Sequence, residues 1–385
     1  MTTSPVDDDL RLARELIGIG RHADARRVLA GTLAAHPDSA DALATLAYLH
    51  HSTGDGAAML DAAVRAVAAG PGHPWAHRLH AIALLGAGDA AAAADAVTAA
   101  DRCVELDPDG SSAHQVRAHA LLRHGDLVEA YRSAVLAVEL DPDDADSYST
   151  LSRVLLAAGE RSAARAADLA ALRLAPAAAG PHRAFAESAT LVGRYRTAAR
   201  TYRSLLRTHP TEAGLPRAFE AALDWLQALW AGLASLVAGV AVVLYVTGTP
   251  TPPRAAAVGV LAAGWAVAYG YAHRGLAAAW WRYLRTREGT RREPRAAVIA
   301  LLVPLGVAAL FGFAPLGLPW VVVVSELVFF AIALMMPVGF LVIHLALATA
   351  ARRRRARFRR DLGKSGLAFE PQLPKIAGEP GATRA

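Results

Sequence analysis

Two patterns of apolar and polar residues divide the chain near Pro210. Before it, short amphipathic stretches that interleave charged and apolar side chains are punctuated alternately by Gly and by Pro, which predicts a succession of helical hairpins. After it the pattern changes. A single helix is predicted over residues 214–248; its first turns are amphipathic, and residues 226–247 carry no charge. Three further runs follow, 255–272, 296–313 and 320–350, the last charged only at Glu326. Each reaches the ~17–25 residues that span a hydrocarbon core. The expectation is therefore four transmembrane helices, at about 226–247, 255–272, 296–313 and 320–344, the last kinked at Pro337.

The punctuation before Pro210 is periodic. Gly20, Gly54 and Gly88 are 34 residues apart, as are Gly125, Gly159 and Gly193; Pro37 and Pro71, then Pro108, Pro142, Pro176 and Pro210, keep the same interval. Three extra residues fall inside the third copy. The units are 6–39, 40–73, 74–110, 111–144, 145–178 and 179–212. Gly at position 15 lets the chain leave a first helix with positive φ, and Pro at position 32 cannot continue a second. Position 8 is small in every copy (Ala13, Ala47, Ala81, Ala118, Ser152, Ala186), as two closely crossing helices require.

With these residues the stretch 6–212 resembles the tetratricopeptide repeat (TPR). The resemblance implies hairpins stacked into a right-handed superhelix whose concave groove binds a protein or peptide partner. It departs from the family at position 4, normally aromatic or Leu, where Asp9, Leu43, His77, His114, Tyr148 and His182 stand. In the family, positions 2, 5, 9, 12 and 13 line the groove. Carried onto this chain they yield Tyr48, Trp75, Arg78, His119, Arg123, Arg153 and Arg183, with Asp146 and Glu187 as the chief acids. Gathered Arg suits an acidic or C-terminal carboxylate partner, because a guanidinium binds carboxylate at two points. The alternative is that these Arg pair with acids of adjacent helices. The chain contains no Asn, so the family's Asn-dependent carboxylate clamp is not available to it.

Charge sharpens the division. Residues 1–215 hold 21 Arg and 26 acids, a net −5, whereas 216–385 hold 19 basic residues and 8 acids, a net +11. With 54% hydrophobic residues, part of the chain is expected in lipid. The opening MTTSPVDDDL lacks an apolar core and so does not read as a secretory signal, and the repeats are expected on the cytoplasmic side. The loop between the second and third runs carries seven Arg and the outer turns none, matching the positive-inside pattern. Trp225, Trp230, Trp280, Trp281 and Trp320 fall at interfacial depths. Both termini are thus expected inside a cell (inner) membrane crossed several times. Arg-dominated basic usage, with only Lys364 and Lys375 as lysines, looks bacterial. Arg352, Arg353, Arg354, Arg355, Arg357, Arg359 and Arg360 follow the fourth run, where a polybasic segment meets anionic lipid headgroups or serves as a topology signal. The tail beyond, rich in Gly and Pro, is expected to be disordered.

The fold expected is all-α, a TPR-type solenoid (1–215) followed by a four-helix transmembrane bundle (216–350) and a polybasic run with tail (351–385). Chemistry is sparse. His73, His77 and His80 share a helix face, but no carboxylate or thiol completes a metal-ligand set, and positions 4 and 7 pack inside a repeat. GIGRHA and GAGDAA lack the preceding strand of a nucleotide fingerprint. No catalytic motif, cofactor or metal site is expected, nor nucleic-acid binding. Cys103, the only cysteine, sits where it packs like Ala. Arg254 and Glu326, both at outer span boundaries, are expected to pair or to snorkel separately. The reading that follows is a membrane-tethered scaffold; the alternative is a regulatory or accessory subunit of a membrane transporter or membrane enzyme.

Overall fold

A computed structural model describes residues 5–88, 90–209, 214–276, 294–313, 346, 348–366 and 369. All secondary structure among them is helical. The repeat region forms six hairpins: α1 (Pro5–Gly18) with α2 (His22–Ala35), α3 (Ala40–Thr53) with α4 (Gly56–Ala69), and α5 (Pro74–Ala87) with α6 (Ala90–Leu106). They continue as α7 (Ser111–His124) with α8 (Leu127–Leu140), α9 (Ala145–Ala158) with α10 (Arg161–Leu174), and α11 (Ala179–Leu191) with α12 (Tyr195–Thr208). Next come α13 (Leu215–Val246), α14 (Thr251–His273) and α15 (Pro294–Phe313), then α16 over 348–364. The chain forms two compact units, one of Met1–Ser188 with Arg353–Ala385, the other of Ala189–Arg352.

In the first unit the turn chemistry is the expected one. Gly54, Gly88, Gly125 and Gly159 cap their helices in the left-handed region, at φ between 76° and 101°. That conformation is nearly free for Gly and strained for other residues. The position-8 residues Ala13, Ala47, Ala81, Ala118, Ser152 and Ala186 are at most 1% exposed. The core is consequently Ala-rich, each buried methyl contributing about 0.8 kcal/mol, so stability comes from many close helix crossings. The three extra residues of the third copy lengthen α6 to 17 residues against 14 in α4 and α8. Among the first five hairpins each packs on the next, and the first helices α1, α3, α5, α7 and α9 also touch in sequence, forming one continuous face.

Position 4 has a physical explanation in three of its exceptions. His77, His114 and His182 each donate Nε2–H to the carbonyl six residues earlier, that of Pro71 (2.9 Å), Pro108 (2.8 Å) and Pro176 (2.7 Å). Each histidine thereby ties its helix to the turn that precedes it. His73 does different work: its Nδ1 caps α5 by accepting from Ala76 N–H, and its Nε2 meets Asp41 at 2.9 Å. His73 and His77 are thus engaged in helix ends. Among the described residues no group of three His, Cys, Asp or Glu is placed to hold an ion.

In the second unit α13 is a single 32-residue helix, entered at Gly214 with φ 87° and left near Gly248 with φ 74°. Its first half buries Leu215, Phe219, Leu223 and Leu226, and α12 packs on it, with Tyr195 stacked on Trp225 at 5.8 Å. Its second half turns a stripe of small residues, including Ala231, Ala234, Ala238 and Ala241, inward, where α14 and α15 pack. Pro304 lies inside α15. The fourth apolar run, with Trp320, Glu326, Pro337 and His344, lies outside the described residues, as do the Arg-rich loop 277–293 and Trp280 and Trp281.

Candidate functional site: the repeat groove and the C-terminal basic helix

The groove residues expected from the sequence fall into two sets on the face of first helices. One surrounds Trp75, on which Tyr48 packs at 6.3 Å and over which the Arg14 guanidinium lies at 5.1 Å. Arg78, one turn along α5, is half-buried with its Nε enclosed. Arg14 was not among the expected residues, although it stands at position 9 of the first copy as Tyr48 does of the second.

The other set runs from α7 to α11. Arg153 donates to Glu187 at 3.2 Å, and Arg183 reaches the same carboxylate at 3.9 Å. Arg123 donates to the Gly88 carbonyl at 3.4 Å, closing the end of α5. His119 is enclosed, its Nε2 without a partner among the described residues. Burial first, and then the Arg153 charge, push its pKa down to about 4, so the ring is neutral at pH 7. Asp146 is shifted up, by burial and then by Asp144. The Arg–acid pairing weighed as the alternative is present at Arg153 and Arg183; an incoming carboxylate would compete there with Glu187.

Of the seven C-terminal Arg, two turn to the repeats. Arg355 Nε and Arg359 Nη2 donate to Glu160 at 3.0 and 3.1 Å, and Glu160 is 1% exposed. Phe358 and Leu362, on the same face of α16, enter the core of the fourth and fifth hairpins, with Phe358 edge-on to Tyr131 at 5.5 Å. Phe369 lies 5.9 Å from Tyr131, and Arg359 covers its ring at 4.9 Å. α16 itself continues past Arg360 to residue 364; most of the tail beyond lies outside the described residues. Arg352, Arg353, Arg354, Arg357 and Arg360 are exposed. No spacing rule announces this contact; the only signal is an apolar pair, Phe358 and Leu362, four residues apart within a basic run.

Cys103 is 2% exposed, donates to the Pro74 carbonyl at 3.3 Å, and burial pushes its thiol pKa up to about 11. That environment makes it inert. Arg254 is fully buried, donating to the Thr249 carbonyl at 3.1 Å and to Thr251 Oγ1 at 3.4 Å, with its guanidinium 4.9 Å from the Tyr245 ring centre. Its expected partner Glu326 lies outside the described residues.

Among the described residues two helices, α13 and α14, are long and apolar enough to cross a membrane. Their outer faces are apolar as well. Leu236, Val240 and Val243 form an exposed stripe on α13, and Val260 and Val267 on α14 are 72% and 74% exposed. Gln227 links the two helices at one end through His273 Nε2 at 3.0 Å.

No family model and no curated protein matches the chain. Solved structures with similar hairpins include a thermophilic TPR protein of Thermus thermophilus, 21% identical, covering 48% of this chain and 99% of its own, at a TM-score of 0.44. PilF of Pseudomonas aeruginosa is 16% identical, covering 57% and 96%, at 0.40. A TPR protein from Parabacteroides merdae is 14% identical, covering 57% and 84%, at 0.47. The likeness is one of helical hairpins alone.

Proposed function

We propose that the chain is a membrane-tethered scaffold whose repeat groove holds a protein partner at the cytoplasmic face of a cell membrane. The observation that carries the reading is the outward apolar face of α13 and α14. Single exposed apolar side chains are ordinary on soluble proteins, but a stripe repeated along two helices over 20 residues long calls for an apolar surround, and lipid supplies one. On this reading α15 and the run 320–344 complete four spans, both termini lie inside, and exposed Arg of the C-terminal run meet anionic lipid.

Anchor is favoured over pathway by where ionisable groups fall. A transport route places several at mid-depth. Among the described residues of α14, Arg254 and His273 stand near the ends, and beyond Asp224 the apolar part of α13 has no charged residue. Tyr48, Trp75, Arg78, His119, Arg123, Arg153 and Arg183 form the proposed partner contact, with an aromatic and cationic end around Trp75 and a charge-paired end around Glu187. The test is cross-linked capture from membranes with the full chain and with Trp75→Ala. The scaffold reading expects a protein that co-purifies with the former and is reduced at least severalfold with the variant, at equal membrane content. A partner retained equally by both would remove the groove from the account.

A further inference from the structure

The C-terminal helix has a second face that the repeats do not use. With 3.6 residues per turn, Arg355, Phe358, Arg359 and Leu362 share one side of α16, and Arg353, Arg357, Arg360 and Lys364 share the opposite side at i, i+4, i+7 and i+11. The first side is committed. Glu160 is a carboxylate almost wholly removed from water, and leaving such a charge without its guanidinium partners is costly. Arg355 and Arg359 are therefore tied to the repeats through their guanidinium groups, although both side chains remain 46% exposed. The second side is exposed along its length. Its one ion pair among the described residues is Lys364 with Asp361 at 3.7 Å, both largely exposed.

We propose that α16 is a two-faced bracket, its inner face bolted to the fourth and fifth hairpins through Glu160 and its outer stripe lying on anionic lipid headgroups. This rests on the membrane reading above and goes further, since it divides five of the seven Arg between two tasks. Three observations select lipid. The stripe is four cations with no aromatic side chain between them, which suits a diffuse anionic surface better than a stacked base. It extends about 16 Å at 1.5 Å per residue, so its charges reach one plane together when the helix lies along it. It begins three residues after the apolar run 320–350, close to wherever that run meets water.

The experiment uses the full chain in nanodiscs of phosphatidylcholine with or without phosphatidylglycerol. A fluorophore on Ala356→Cys reports proximity to a headgroup-borne quencher, and the buried native Cys103 stays unlabelled. Nitroxides on Ser162→Cys and Ala356→Cys report whether α16 remains on the repeats. Expected are phosphatidylglycerol-dependent quenching that is lost when Arg353, Arg357, Arg360 and Lys364 are changed together to Gln, and an unchanged nitroxide distance in both lipids. Glu160→Gln should lengthen or broaden that distance. Quenching indifferent to phosphatidylglycerol, or a competing RNA that binds the stripe more tightly than lipid, would overturn the outer face. A distance that lengthens on anionic lipid would overturn the bracket, because the same Arg would then be leaving Glu160 for the membrane. A chain that fails to enter nanodiscs would sink the tether reading separately, and binding of the same labelled chain to phosphatidylglycerol vesicles would still decide the stripe.

Discussion

Glu187 accepts from Arg153 at 3.2 Å between residues at the same position of consecutive copies, 34 apart in sequence. Both side chains are 43% exposed, so the pair contributes at most about 1 kcal/mol. Its interest is what it withholds. Glu187→Gln should release Arg153 and Arg183 for an incoming carboxylate and raise affinity for a Glu-rich peptide severalfold at low salt, the gain fading as salt rises. Fluorescence titration of the full chain in detergent with acidic and neutral peptides measures this. Unchanged or weakened acidic binding would exclude that end of the groove as an acid receptor.

His119 yields a pH prediction. Its pKa is lowered to about 4, below the ordinary 6.5, so between those values the unfolded chain binds a proton that the folded chain refuses. Stability tied to this group is present above pH 6.5 and is lost as pH falls toward 4, at up to about 1.4 kcal/mol per pH unit. NMR titration of the ring, assigned with His119→Gln, should give a midpoint near 4. A midpoint near 6.5 would mean that water reaches the ring.

Asp168 makes the opposite case. It is 1% exposed and accepts from Ser188 Oγ at 2.5 Å, yet burial raises its pKa above the ordinary 3.8. Its contribution is therefore fully present below pH 3.8 and is lost as pH rises through the raised value. Asp168→Asn removes the charge and keeps an acceptor for Ser188, so it should unfold later than wild type at pH 7 by roughly 1 kcal/mol. The difference should close below pH 3.8. Thermal unfolding followed by helix signal at the two pH values checks both statements; a variant less stable at pH 7 would show that the carboxylate is compensated.

The architecture was legible because its signals are local and repeated. A left-handed Gly or a helix-stopping Pro acts on its own turn, so six copies at one interval suffice to place the hairpins, and α13 runs within two residues of the helix expected over 214–248. The histidines at position 4 looked like departures because their partner is a backbone carbonyl, which no side-chain pattern records. The Glu160 contact escaped for a different reason. It joins Arg355 and Arg359 to a residue 195 and 199 positions earlier, and only the packed fold brings them together. The position-9 pair Arg153 and Glu187 lay between these cases, one repeat apart and visible once the copies are aligned.

Arg254 carries a prediction on the membrane part. Arg254 is buried and donates to the Thr249 carbonyl and to Thr251 Oγ1, and Glu326 is the acid that the proposed fourth span would bring to it as a further partner. Arg254→Gln and Glu326→Gln should each destabilise the detergent-solubilised chain, and the double variant by clearly less than their sum. A coupling near zero would separate the two residues.

The central claim is that the repeats sit on the inner side of a membrane that the chain itself crosses. The direct measurement is protease digestion of right-side-out and inside-out cell-membrane vesicles carrying the full chain, with antibodies against tags placed before Pro5 and after Gly366. The account predicts that both tags are removed only from inside-out vesicles and that the protected spans stay in the pellet after alkaline extraction. Loss of either tag from right-side-out vesicles, or release of the intact chain at alkaline pH, would contradict it.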